Sequence, residues 1–471
     1  MNSANMKEAG GQNTECLTSP GEGQDPAASS AKRQLAAEKF LHMGEPLLAY
    51  NELQQALEDA PDDFRLRQLK GLALARSGAL HRANELLTAL REEGCTDAET
   101  MGPLASTHKD LALSATDALS RERHLVAAFE IYEQAYRDAT SRDRVDEAYY
   151  TGINAATIEL LRHHVDSART IARDVERLCH KALASSSGNP ENEYWPRATL
   201  AEAALIRGDL DGARKQYADA ALVAGTHYGD LSSTKHQARI LLEHLNIDPC
   251  WLEQAISIPP VLVFTGHMID APGRAKPRFP LEAVEPVRSR IRRWMEKLRP
   301  AAAYGSAACG ADILCLECVR DLGGEIHIVL PFPAEQFRAE SVNFCRQGDW
   351  GDRFDRLLEA AEEVLVVSEK PPPSGVSTFQ YANLVMTGLA RLRSQVLDTK
   401  LHGLAVWDGT GAGDVGGTSS VVDMWRRYGV PLDQVNPSPE EHRGGSANIE
   451  SAPLVSQASV NGDETPDFLY A

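Results

Sequence analysis

The stretch Tyr304–Glu317, YGSAACGADILCLE, decides the fold of the C-terminal half. It opens from a short apolar strand, Ala301-Ala302-Ala303-Tyr304, and breaks at Gly305-Ser306. It resumes at Cys309-Gly310-Ala311-Asp312 as a helix-period run through Ile313, Leu314, Leu316 and Val319. A strand, a glycine-bearing turn and a helix aim backbone N–H groups and the positive end of a helix dipole at an anion. The same break occurs upstream in VLVFTGH, Val261–His267, and downstream in LAVWDGTGAGDVGGTSS, Leu404–Ser420. Three such turns predict a phosphate-bearing ligand along the carboxyl edge of a parallel sheet.

Working outward, apolar runs alternate with helix-period stretches. Strands are expected at Val261–Thr265, Ala301–Tyr304, Glu325–Leu330, Glu363–Val367 and Gly403–Trp407. Helices are expected at Leu281–Leu298, Ala311–Leu322, Arg353–Ala361, Tyr381–Asp398 and Thr418–Tyr428. Alternation of this kind predicts a Rossmann-like, doubly wound parallel sheet over residues 258–435, opened by the linker Ser257–Pro260.

Upstream, residues 32–247 carry only helix signals. Ala37, Gly44, Ala49, Leu53 and Pro61 set a pattern, and a shift of 34 residues lands on Gly71, Gly78, Ala83 and Leu87. Small residues fit where antiparallel helices approach closely, and the glycine fits the turn between them. The register then slips, with an insertion expected near Thr107–Ser120. It returns at Ala128, Tyr132 and Ala135, at Gly152, Ala156 and Ala168, and at Gly208, Ala213, Tyr217 and Ala220. The pattern resembles the tetratricopeptide repeat and predicts an α-solenoid of five or six helix pairs whose concave surface recognises a protein partner. The segments THKDLAL (Thr107–Leu113), YYTGINAAT (Tyr149–Thr157) and YWPRATLAEAAL (Tyr194–Leu205) resemble the TRAFs-binding helical domain, which implies a regulatory or scaffolding module without catalytic residues.

A chain of 471 residues exceeds one ordinary core. Its 43% hydrophobic and 24% charged content is that of a globular protein, so a multidomain α and α/β molecule is expected. A net charge of −19 argues against a general nucleic-acid binder. The eight cysteines are scattered, and Cys315-x-x-Cys318 lacks a second pair at zinc-ligand spacing. They read as reduced thiols, Cys315 and Cys318 as core residues of a helix, with no metal site and a cytoplasmic location. Residues 1–31 and 436–471 are polar, Gly-, Ser- and Pro-rich, and expected to be disordered. No apolar run approaches the ~20 residues that span a bilayer.

The candidate ligand-binding residues follow from the turns. Gly266, Gly305, Ser306 and Gly310 let a phosphate approach the backbone. His267 is either an acid/base group or a hydrogen-bonded turn residue. Asp312 either caps its helix or bonds a ribose hydroxyl. Arg274 and Arg278, with Lys276, lie on a proline-stiffened cationic loop suited to phosphate. Asp408, Gly416, Gly417, Thr418 and Ser419 complete the set at a glycine-preceded helix start. The order of TGH, GSAACGAD, LPFPAEQF (Leu330–Phe337) and GGTSS (Gly416–Ser420) resembles the SLOG superfamily, the Rossmann-like relatives of DNA-processing protein A and the LOG hydrolases. That resemblance implies a nucleotide or nucleotide-derived ligand, and N-glycosidic cleavage in some members. The LOG signature PGGxGTxxE is not kept here. No proline precedes Gly416-Gly417, and Val421 stands where the acid should be. Cleavage would need another carboxylate, with Asp312, Glu317 and Asp423 as candidates. The chain therefore reads as a signalling protein that senses its ligand. A nucleotide N-glycosidase or phosphoribohydrolase is the first alternative, and a scaffold with a degenerate pocket the second.

Overall fold

The computed structural model describes residues 26–186, 190–343, 348–369, 376–410 and 416–437. The expectations for residues 1–25, for Gly411–Val415 and for the tail from residue 438 lie outside the described residues.

The N-terminal part is a helical repeat. Five antiparallel pairs follow one another: α1 (Pro26–Met43) with α2 (Pro46–Asp59), α3 (Phe64–Arg76) with α4 (Leu80–Glu92), α5 (Ala98–Ser114) with α6 (Ala118–Ser141), α7 (Val145–Leu161) with α8 (Val165–Ser185), and α9 (Pro190–Arg207) with α10 (Leu210–Ala224). A single helix α11 (Tyr228–His244) and a short α12 (Leu252–Ala255) close it. The 34-residue pattern has direct physical causes. Gly44 and Gly78 turn the chain at φ of 82° and 85°, which an L side chain rarely adopts. A Cβ on Gly71 would stand 2.7 Å from Leu87 Cδ2, so the glycine lets α3 and α4 close on each other. Aspartates cap the helices: Asp63, Asp97, Asp117 and Asp209 each accept a backbone N–H three residues on. The insertion expected near Thr107–Ser120 is not a loop. α3 and α4 have 13 residues each, whereas α5 has 17 and α6 has 24, so the register slips by helix lengthening. Pro26–Ala31, expected within the irregular N-terminal segment, belong to α1, which carries its Ala37 and Leu41 into the core.

The C-terminal part alternates strand and helix: β1 (Val261–Gly266), α13 (Val284–Leu298), β2 (Ala302–Gly305), α14 (Ala311–Asp321), β3 (Glu325–Leu330), α15 (Ala334–Phe337), α16 (Trp350–Ala360), β4 (Glu363–Val366), α17 (Val376–Val396), β5 (Leu401–Val406), α18 (Thr418–Arg427) and β6 (Leu432–Val435). The six strands are parallel in the order β4-β3-β2-β1-β5-β6. The doubly wound sheet is therefore present. β6 escapes sequence reading because Leu432–Val435 is short and polar at its centre, as an edge strand can be. α17 begins five residues before the expected Tyr381.

A parallel sheet needs both faces covered. Ile291 and Met295 of α13, Leu314 of α14 and Phe354 of α16 pack on one face, against Leu262, Phe264 and Ile328. On the other face Val261, Val263, Tyr304 and Val329 share an apolar cluster with Met386 and Ala390 of α17, and with Leu231, Leu241 and Leu252 of the repeat region. The helical part thus serves as a layer of the α/β part.

Buried charges pin this contact. The Arg393 side chain, fully shielded, lies 3.0 Å from Glu45 Oε1 in the α1–α2 turn and 2.7 Å from Glu325 Oε2. Tyr304 Oη donates to Glu45 (3.0 Å), and its ring stacks on His327 at 4.5 Å between centroids. His327 stands 3.6 Å from Glu325 and 3.9 Å from Glu363, too long for hydrogen bonds, so the attraction is Coulombic. Burial alone would lower its pKa, but the surrounding carboxylates outweigh that and raise it to about 9. Arg393→Met should destabilise the chain by about 3–5 kcal/mol in urea unfolding, since it strands two shielded carboxylates. Because the folded His327 pKa exceeds its ordinary 6.5, its stabilisation is complete below that value and is lost as pH rises through about 9. His327→Gln should flatten that decline in thermal melts.

Candidate functional site

The chain builds outward from β1 to β4, then crosses to β5 on the far side of β1. The strand order reverses between β1 and β5. There the connections leave on opposite faces and open a crevice beyond the carboxyl ends. Gly266 pairs with Val406 across it. A Cβ on Gly266 would fall 2.3 Å from Ala311 Cβ and 2.8 Å from Val406 O, so this glycine lets the start of α14 close onto β1.

His267 follows directly. Its N–H donates to Val406 O (2.9 Å), and its carbonyl accepts from Ala311 N (3.2 Å), which ties β1 to the α14 N-terminus. Its buried ring lies with Nε2 3.2 Å from Asp408 Oδ1. Asp408 Oδ1 also accepts from Thr410 N at 3.0 Å. Burial holds the imidazole pKa below its usual value, and the positive charge of Arg278 pushes the same way, against the pull of Asp408. Burial would raise the Asp408 carboxyl, but the Thr410 N–H and His267 outweigh it and keep it low. Nε2 of neutral His267 faces both the ionised Asp408 carboxylate and the Asp408 N–H (3.4 Å), so it donates to the first in one tautomer and accepts from the second in the other.

The second turn is tightly specified. Gly310 has φ of 104°, pairs with Met268, and leaves a Cβ only 2.9 Å from His267 O and Ile269 N. Ala307, fully buried, holds φ of 66° without being glycine, an uncommon conformation at a turn facing the crevice. Asp312, in the first turn of α14, accepts from Ala308 N at 3.3 Å. Although its residue surface is only partly covered, its carboxyl is desolvated enough to lift the pKa to about 7. Gly305 has a packing duty: a Cβ there would stand 2.1 Å from Phe264 Cζ. Ser306 follows it, half-buried.

The cationic loop is a strap over this edge. Asp270 Oδ2 accepts from Arg278 N (2.8 Å) and Phe279 N (2.9 Å), and Phe279 is fully buried as the anchor. Arg274 is exposed on the strap, 3.4 Å from Asp270 Oδ1, with Nε donating to Lys276 O. Arg278 is the cation felt by His267, and its Nε is shielded and meets no acceptor among the described residues. At the third turn, Gly416 has φ of 90°, and its carbonyl accepts from Asn383 Nδ2 of α17 at 3.0 Å. Ser420 Oγ accepts from Gly416 N and donates to Gly417 O, closing the turn before Thr418 and Ser419.

The structure therefore brings Gly266, His267, Gly310 and Asp408 together, with Arg278 beside them, sets Asp312 in the first turn of α14 with its carboxyl turned to Ala308 N, and sets Gly416–Ser419 at the α18 start on the same edge. It separates the other two candidate acids. Glu317 is buried in a bidentate pair with Arg353 of α16, at 2.8 and 2.5 Å. Asp423 is exposed on α18 beside Arg426. Cys315 and Cys318 are buried in α14, and burial raises both thiols. Asp270 and Asn383 were missed. Each acts through a backbone contact that no motif marks, and Asn383 lies 33 residues from the carbonyl it holds.

These features define a class: a helical-repeat chain joined to a parallel α/β unit with a crevice at its switch point. Residues 48–159, from α2 to α7, match the Tetratricopeptide Repeats-Sensor family model. No curated protein matches the chain. Among solved structures the chain is similar to a thermophilic TPR protein of Thermus thermophilus. The two share 20% identity over 45% of this chain and 99% of that one, with a TM-score of 0.35. Among the described residues no helix is long and apolar enough to cross a membrane.

Two variants test the site. Asp408→Asn should move the His267 titration midpoint further down in NMR spectra of the imidazole protons, since the carboxylate is what holds it up. A midpoint that rises would place the ring elsewhere. Between its ordinary 3.8 and about 7, folded Asp312 holds a proton that the unfolded chain lacks, so stability falls as pH rises through that window. Asp312→Asn should remove that slope in melts recorded across it.

Proposed function

We propose that this chain is a sensor. Its α/β part binds a nucleotide or nucleotide-derived ligand at the β1–β5 crevice, and its repeat region engages a protein partner. One observation carries the ligand reading: a neutral His267 paired with an ionised Asp408, the α14 N-terminus and the shielded Arg278 converge at the topological switch point. The α14 N-terminus and Arg278 suit a phosphate, while Asp408 and Asp312 suit hydroxyl or base N–H groups. The resemblance of TGH, GSAACGAD and GGTSS to SLOG proteins supports the same ligand class. The sensor description of the matched family and the use of tetratricopeptide repeats in protein binding support the signalling role.

A second reading, nucleotide N-glycosidase, is favoured by Asp312. It lies in the first turn of α14, whereas Glu317 pairs with Arg353 and Asp423 is exposed beside Arg426, and a carboxyl titrating near 7 can give or take a proton at neutral pH.

The test uses the full chain, because the isolated α/β part would lose the cover of one sheet face. Purified protein is incubated with mononucleotides, dinucleotides, NAD and cyclic nucleotides, and bound and free fractions are read by mass spectrometry. Retention of one unchanged compound supports the sensor. Release of free base and sugar phosphate, lost in Asp312→Asn, establishes the enzyme. If no compound of the panel is retained or cleaved, the ligand reading falls. For a retained compound, Arg278→Ala should weaken affinity by about 10- to 100-fold, the scale of a lost charge-assisted contact.

A further inference from the structure

The inner surface of the repeat, where a partner would be expected, is occupied by the chain itself. α11 meets the first helices of the pairs along the length of the repeat. It packs along α1, and Asp230 feels Arg76 of α3. Gln237 Oε1 accepts from Lys109 Nζ of α5 (2.6 Å), while its Nε2 reaches Thr157 of α7 (3.5 Å) and Glu202 of α9 (2.8 Å). Thr234 bonds Tyr194 of α9 at 2.6 Å. A helix that packs along α1 and bonds α5, α7 and α9 lies along the inner side of the solenoid.

Toward the repeats α11 buries Asp230 and Thr234 beside its apolar residues, while Ser232 and Lys235 are buried toward the α/β part. The seam between α11 and the repeats carries a polar network, in which Gln237 joins Lys109, Thr157 and Glu202, and Thr234 joins Tyr194. A buried polar layer costs stability and fixes register, the pattern of a docked segment. An open groove of about 680 Å³ runs along this seam, between His236 and Ile240 of α11 and Arg76, Leu80, Asp110 and Leu161 of the repeats.

We propose that α11 is a tethered occupant of a helix-binding groove. The partner it stands in for is an amphipathic helix with a hydroxyl residue, an amide and a β-branched apolar residue spaced as Thr234, Gln237 and Ile240. α11 is also bound to the α/β part: Ser232 Oγ donates to Val396 O (2.6 Å), Lys235 Nζ to Asp398 O (3.0 Å), and Arg239 pairs with Asp398 (2.5 Å). A competing helix would break these contacts at the end of α17 remote from Asn383, which holds the Gly416 turn. The inference deepens the partner reading above and does not depend on the ligand reading.

The test uses a labelled synthetic peptide spanning Thr226–Asn246 as the probe. In the wild-type full chain the tethered helix, at a millimolar-scale effective concentration, should hold the peptide off. Ile240→Asp removes a buried apolar residue of α11 from the cluster it shares with the repeats, sets a carboxylate beside Asp110, Leu113 and Leu161, and leaves the groove residues unaltered. Peptide affinity, read by fluorescence anisotropy, should then rise about tenfold or more, and a further Lys109→Ala should reverse the gain. No gain in a variant that keeps its helicity overturns the proposal, as does loss of the repeat fold in Ile240→Asp. Hydrogen exchange on the wild-type chain decides independently of any variant. α11 should open well before α7 and α9, and equal protection of the three would make it core. Failure here leaves partner binding by the outer helices open, and the nucleotide panel reports separately on the crevice.

Discussion

Everything in this molecule follows from the need of a parallel sheet to bury both faces. α13, α14 and α16 satisfy one face. α17 and α18 cannot cover the other, and the helical repeat completes it. That turns two sequence-distinct halves into one packed body. It also explains the charges at the join, because a surface built from a helix turn meets strands whose outward residues are Tyr304 and His327. Arg393 and His327, themselves fully shielded, offset the charges of Glu45, Glu325 and Glu363.

α17 gains its position from the same constraint. It crosses β1, β2, β3 and β5, ends beside α11 and Glu45, and near its start supports the Gly416 turn through Asn383. One rigid element therefore touches the crevice, the charged join and the occupant of the solenoid. Two discrete arrangements of such an element would couple ligand and partner, and that is the physical form a sensor in this architecture would take.

At the crevice the electrostatics are set by burial against specific partners. His267 stays neutral because desolvation exceeds the pull of Asp408, and Asp408 stays ionised because Thr410 and His267 exceed desolvation. Asp312, with one long backbone contact, has less to oppose burial and titrates near 7. Three acidic or basic groups within one edge thus hold three different states. Glu317, equally buried, is satisfied instead by Arg353 and belongs to the packing of α14 on α16.

The sequence by itself determined what local physics controls. Alternation of strand and helix periods specified the parallel sheet, the glycine breaks at Gly266, Gly310 and Gly416 marked its carboxyl edge, and the 34-residue spacing specified the paired helices. Side-chain period and backbone conformation are properties of neighbouring residues, so they can be read from neighbours. Tertiary structure decided what depends on distant residues meeting. His267 and Asp408 lie 141 residues apart and become partners only because β5 inserts beside β1. Glu317 lost its place among the site candidates to Arg353, 36 residues on. Gly305 reads as a ligand turn but answers to the ring of Phe264. α11 reads as one more helix, and only the curvature of the five pairs sets it along their inner side, where Lys109 meets Gln237 across 128 residues of chain.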